Sequence, residues 1–152
     1  MPSSAPTVDG MCVQLKERGR RVTPQRRAII HALLEDGGAH PTAERIFTQV
    51  QDAMPDMSPA TVYNTLHELV DMGLLLELDL GLGERRYDVN TADHAHLVCL
   101  GCGRVEDVDY DPSTLALSPD HAQRFQIVER TAIFRGYCSA CTSQGKGPNG
   151  VS

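Results

Sequence analysis

The chain has 152 residues and a formal net charge of −6, enough for one ordinary domain or two small ones. Hydrophobic residues make up 41%, yet aromatics only 5% and Trp is absent, so small domains built on Leu, Val, Ile and Ala gain from a structural metal. No apolar run of about 18 residues occurs and the N-terminus MPSSAPTVDG lacks a basic and apolar leader, which excludes a membrane-spanning helix and predicts a cytoplasmic protein.

Residues 1–9 and 143–152 are rich in Ser, Pro and Gly and are expected to be disordered. A short helix is predicted over 10–18, ended by Gly19, with Cys12 as a half-buried helix residue. Lys16, Arg18, Arg20, Arg21, Arg26 and Arg27 then place six of the fourteen basic residues within twelve positions. Such a cluster can neutralise phosphates even on an acidic protein, although a solvated helix end would look the same. Thr23-Pro24 is an N-cap followed by proline at the first helical position, opening a helix to Glu35 that Gly37-Gly38 breaks. Thr42 caps another helix through about Met54, with Ile46 and Val50 on one face.

Ser58-Pro59 repeats the cap signal and starts a helix closed by Gly73. Val62, Leu66, Leu69 and Val70 form its core stripe. Thr61, Asn64, Thr65 and Glu68 lie largely off that stripe, with Tyr63 near its edge. LLLELDL, the turn Gly81-Leu82-Gly83 and ERRYDV then predict a β-hairpin. Helices followed by a hairpin give the order of a winged helix-turn-helix over residues 10–89, with a plain helical domain as the alternative. From 92 to 142 the pattern changes. HAHLVCLGCGRVEDVDY predicts two short strands joined by a C-x2-C turn, followed by a helix over 112–124. A third strand, QIVERTAIFRGYC, delivers a second cysteine pair. The class is α+β, a winged helix-turn-helix domain followed by a small α/β domain.

The stretch from Asp88 to Asp107 reads D-x5-H-x-H-x2-C-x2-C-x4-D, and Cys138 and Cys141 answer it. Paired cysteines in a cytoplasmic protein argue for metal rather than disulfides, and two C-x2-C pairs suit a closed tetrahedral zinc site. The Asp and His set is harder, suited to ferrous iron, manganese or zinc. In a strand His94 and His96 share a face while Cys99 has the opposite parity, which predicts two separate sites. Asp107 has rivals in Glu106, Asp109 and Asp111, and His31, His67 and His121 carry no motif. A zinc enzyme is the competing class, since three histidines can activate water. The chain has neither H-E-x-x-H nor an obvious spare general base, so a regulator is expected and not an enzyme.

Arg21-Val22-Thr23-Pro24-Gln25-Arg26, His40-Pro41-Thr42-Ala43, SPATVYNTL from Ser58 to Leu66, Tyr87-Asp88, His94-Ala95-His96 and the two C-x2-C pairs occur in order. On these markers the chain resembles the ferric uptake regulator family of bacterial metal-dependent repressors, and within it the peroxide-responsive branch. The likeness covers about Leu15 to Cys141. It implies a homodimer whose C-terminal halves form the dimerisation domain and whose winged helices meet a pseudo-palindromic double-stranded DNA operator. It also implies structural Zn2+ on Cys99, Cys102, Cys138 and Cys141. A regulatory Fe2+ or Mn2+, with Zn2+ or Ni2+ as alternatives, would sit on His40, Asp88, His94, His96 and Asp107.

Thr61, Tyr63 and Asn64 are expected at base edges or nearby phosphates, and Arg20 and Arg21 at phosphate. Two short carboxylates, Asp88 and Asp107, and Asn64 where the iron branch usually has Arg, favour peroxide as the signal. The resemblance then implies oxidation of His40 or His94. An iron- or zinc-availability sensor with reversible binding is the alternative. Arg130 stands where many relatives carry a His of an additional metal site, and its protonated guanidinium has no lone pair to donate.

Overall fold

The computed structural model describes residues 5–35 and 40–148, which fall into two compact units dividing between Ala92 and Asp93. The first holds helices α1 (Val8–Glu17), α2 (Pro24–Glu35), α3 (Ala43–Ala53) and α4 (Pro59–Asp71), then strands β1 (Leu76–Leu78) and β2 (Arg86–Asp88). Each helix starts on a hydroxyl. Thr7, Thr42 and Ser58 accept the amide three residues on, and Thr23 does the same for Arg26. The cap at Thr7 moves the first helix two residues ahead of its predicted start, so residues 8–9 are helical rather than part of a disordered arm. The predicted break at Gly37-Gly38 lies outside the described residues.

One apolar cluster joins the four helices and the root of the hairpin, with Leu15, Ile29, Ile30, Ile46, Val62, Leu66 and Leu69 almost wholly buried. Thr65 corrects the predicted face of α4. It is buried because it lies three residues after Val62 and four before Leu69, inside the stripe rather than beside it. Cys12 is fully rather than half buried. β1 and β2 pair antiparallel, shorter than the segments that alternate in the sequence. Leu80 buries completely, and Asp79 Oδ1 accepts the amide of Gly81. Gly81 and Gly83 both take φ near +76° to +93°, which glycine adopts without strain. A single bridge from Thr42 to Arg86 lays residues 40–42 beside β2.

The second unit is a three-stranded sheet in the order β4-β3-β5. β3 (Ala95–Cys99) runs antiparallel to β4 (Val105–Val108) and parallel to β5 (Ala132–Gly136). The parallel pairing requires a crossover, supplied by residues 109–131. The helix predicted over 112–124 is broken there into a 3-10 turn (Pro112–Leu115) and the short α5 (Pro119–Arg124). Pro119 disfavours helical backbone at the residue before it, and Ala116 is already extended at ψ 139°. A short α6 (Ser139–Ser143) follows β5, and the Lys146 amide still bonds to Cys141, so ordered chain continues past the predicted limit at 142. Residues 149–152 of that tail, and 1–4 of the other, are outside the described residues.

Because Leu66 is fully buried, Leu66→Ala should cost about 2–5 kcal/mol, a large part of the ~5–15 kcal/mol available to a domain. Urea unfolding followed by helical circular dichroism should show the midpoint falling sharply.

Candidate metal centres and nucleic-acid face

The four paired cysteines come together from two kinds of turn. Cys99 and Cys102 flank the β3–β4 turn, closed by bonds from Gly103 N–H to the Cys99 carbonyl and from Cys99 N–H to the Arg104 carbonyl. Cys138 caps α6 and Cys141 follows one helical turn later, so both project from one side. The four Sγ atoms lie within 4.8 Å of one another, and Cys102 to Cys138 measures 3.9 Å. A tetrahedron with bonds of ~2.3 Å to sulfur needs edges of about 3.8 Å, so the cluster can hold a zinc-sized ion.

Protons are spread unevenly over these thiols. The amides of Cys138 and Cys102 draw Cys99 down to about 6, and the Cys138 N–H lies 3.2 Å from its sulfur. Burial, then hydrogen bonds among the thiols, pushes Cys141 up to about 12. Four thiolates cannot crowd together without a cation to offset their repulsion.

The imidazoles and carboxylates form two partial sets, one on each unit. In the first unit His40 Nε2 lies 3.3 Å from Asp88 Oδ2, with both side chains almost fully buried. Asp88 is aimed by the Asn90 amide, which occupies its other oxygen at 2.9 Å. His40 is the one described non-glycine residue with positive φ, at 51°. The Arg86 guanidinium donates to its carbonyl at 3.4 Å, and Tyr87 N–H to that of Pro41 at 3.0 Å.

In the second unit His94 Nε2 and His96 Nε2 are 3.1 Å apart, and Asp107 Oδ1 lies 3.2 and 3.4 Å from them. Bonds of ~2.1 Å at right angles give edges of about 3.0 Å, so these three atoms match one face of an octahedron. Sheet register brings Asp107, among the acidic residues near it, opposite a histidine. It is the direct cross-strand partner of His96, whereas Glu106 pairs with Leu97. His31, His67 and His121 are exposed; His31 and His67 face carboxylates on their own helices and His121 bonds Ser118.

Arg130 is tied to Asp93 at 2.5 and 3.0 Å, and Tyr110 donates to the same carboxylate. Its guanidinium also lies over the Tyr110 ring. This clasp beside His94 went unseen in the sequence, because the partners are 37 residues apart and only the sheet brings them together.

On α4, Tyr63 and Asn64 are exposed, whereas Thr61 is half-buried with its hydroxyl 2.8 Å from that of Ser58. The basic cluster is less open than its sequence suggests. Arg27 pairs with Asp9 and Arg26 with Glu68, leaving Arg20 and Arg21 exposed with no ion pair among the described residues.

Gly101 is a position that spacing alone did not mark. A Cβ there would stand 2.8 Å from Cys141 Sγ and 3.0 Å from its Cβ. Gly101→Ala should therefore splay the sulfurs, and a chelator should strip metal from the variant faster than from the parent protein.

The sequence model of the ferric uptake regulator family matches residues 17–135. The peroxide operon regulator of Bacillus subtilis is 37% identical over 134 residues, covering 86% of this chain and 90% of its own. The peroxide-responsive repressor PerR of Staphylococcus epidermidis is 33% identical over 86% of this chain and 87% of its own. Among solved structures, the Vibrio cholerae ferric uptake regulator superposes with a TM-score of 0.68 at 27% identity, covering 84% of this chain and 99% of its own. The family model spans most of the chain and these relatives align over most of their own length, so the chain belongs to the ferric uptake regulator family.

Proposed function

We propose that this protein is a metal-dependent, DNA-binding transcriptional repressor of the peroxide-sensing kind, acting as a homodimer. The observation that carries the reading is the division of hard ligands between the units. His40 and Asp88 offer two donors on the helical unit, and His94, His96 and Asp107 offer three on the sheet unit. Neither set alone fills the coordination shell of iron or manganese. One ion taking both sets would favour a single arrangement of the recognition helices, which is the differential affinity an effector needs.

Zn2+ on Cys99, Cys102, Cys138 and Cys141 would serve a different end, holding the sheet unit together. Structural zinc is worth about 10–16 kcal/mol in small peptides, comparable with a whole domain's stability. The sheet unit also exposes the large apolar side chains Leu115, Leu117, Phe125, Ile127, Val128 and Phe134. A second copy would cover them, and the dimer would present two α4 helices to a pseudo-palindromic operator. Tyr63 and Asn64 would meet bases and Arg20 and Arg21 phosphates.

A ferrous ion held by these residues would supply redox chemistry toward peroxide that manganese does not readily supply, the overall change being one oxygen atom passed from H2O2 to a histidine with water released. His40 and His94 are both buried, so their imidazoles would be close at hand, and water scarce, for an oxidant generated at the site. An oxidised imidazole is a poorer donor, and its loss would release the arrangement suited to DNA.

Peroxide added to the iron-loaded protein should add the mass of one oxygen atom to a peptide holding His40 or His94 and abolish operator binding. The manganese-loaded protein should resist both changes. Lost binding with unmodified peptides, restored by fresh metal, would instead identify a reversible availability sensor. His96→Ala should keep zinc and the dimer, since the four thiolates are untouched, yet lose operator binding at ordinary metal levels. Excess manganese should restore part of that binding by mass action. Zinc content, oligomeric size and affinity measured on one preparation decide the matter.

A further inference from the structure

Arg26 belongs to the basic run of the sequence, but its guanidinium is turned inward. Its Nη2 lies 2.8 Å from Glu68 Oε2 on α4, and its Nη1 donates to the Arg21 carbonyl at 2.8 Å. Its own amide donates to Thr23 Oγ1, so the residue is fixed at the capped start of α2. Both side chains are largely screened, at 22% and 33% exposure, unlike the open Arg27–Asp9 pair at 52% and 83%. Glu68 stands four residues after Asn64, one turn along the same face of the helix. One planar group thus grips two neighbours at once. One is the loop bearing Arg20 and Arg21; the other is the helix bearing Tyr63 and Asn64.

We infer that Arg26 is a positioning residue for DNA recognition, which with Glu68 sets the spacing between the phosphate-facing loop and the base-facing helix. This rests on the DNA-binding reading above and adds to it. A guanidinium suits the task because it is rigid and presents its donors as a fork, whereas an ammonium is a single point charge. Phosphate contacts fix register while base contacts specify, so a fault in the spacing between them should degrade specific binding first.

The test uses the full-length manganese-loaded protein and the duplex it selects from a random-sequence pool, with a scrambled duplex as control. Affinities are taken across a salt series for the parent, Arg26→Ala, Arg26→Lys and Glu68→Gln. Arg26→Ala should lower the ratio of specific to non-specific affinity about tenfold, with the non-specific salt slope unchanged. Arg26→Lys should recover only part of that ratio. Glu68→Gln is the decisive variant. It removes a negative charge near DNA, so plain electrostatics predicts tighter binding, whereas loss of the brace predicts a lower specific ratio. The double variant should be no worse than either single one, because the two act as a unit.

If Arg26→Ala weakens both duplexes equally and reduces the salt slope by about 1, Arg26 is a phosphate contact and the inference is wrong. Tighter binding by Glu68→Gln, or variants indistinguishable from the parent, would also overturn it. A parent protein that selects no duplex under any metal overturns the repressor reading itself, and this inference with it.

Discussion

Four sulfurs held within 4.8 Å of one another form the constraint on which the C-terminal unit rests. Three short strands and two short helices enclose little apolar volume, and residues 111–131 are exposed throughout. The unit has no large aromatic core to oppose the entropy of ordering its crossover. A zinc ion on the cysteines would instead tie the β3–β4 turn to the first turn of α6, anchoring the strand that carries His96 at its far end. With β3 fixed between β4 and β5, the register that sets Asp107 opposite His96 is fixed too. With zinc bound, the cysteine cluster would therefore order the proposed hard-metal ligands without sharing an atom with them.

That arrangement separates permanence from exchange. Thiolates bind zinc too tightly to report ordinary changes in metal supply, whereas on the proposed reading imidazole and carboxylate donors split between two units would bind only as well as the units could be brought into agreement. Part of the binding energy would then go to selecting the competent arrangement, and apparent affinity would fall by the fraction of molecules that occupy it. His40 shows the cost locally. Its left-handed backbone is unfavourable for a histidine and persists because Arg86, Tyr87 and the Thr42 bridge over-determine it. A side chain so held would have little freedom left to lose if it bound an ion.

Much of this was legible in the residues. Proline after a hydroxyl marked the starts of α2 and α4, and alternation around Gly81 marked the wing. C-x2-C spacing marked the sulfur cluster, because ligand geometry leaves few other uses for it. Strand parity separated His94 and His96 from Cys99. What spacing could not supply was anything set by pairing between distant segments. Asp107 had three acidic rivals until the sheet register placed it, and Thr65 looked like a surface residue until the helix was seen to be buried on a wider arc. Gly101 mattered only once Cys141 had come to lie beside it. The helix expected across 112–124 breaks at Ala116 to Ser118, because Pro119 starts a helix of its own and disfavours helical backbone before it.

The charge distribution bears on how such a protein can be switched at all. An acidic chain gains little from general attraction to DNA, and the structure withdraws two more cations by pairing Arg26 with Glu68 and Arg27 with Asp9. On the proposed reading each arginine held in an internal pair is one fewer to meet phosphate, which would make the salt dependence shallower and non-specific binding weaker. More of the affinity would then come from recognition helices meeting the duplex together, in one geometry. A strongly basic repressor would stay on DNA through its phosphate contacts even with its helices misaligned. An acidic one with two of its arginines paired internally would rely more on that geometry, so on the proposed reading a metal that favours one arrangement would have the larger effect on binding.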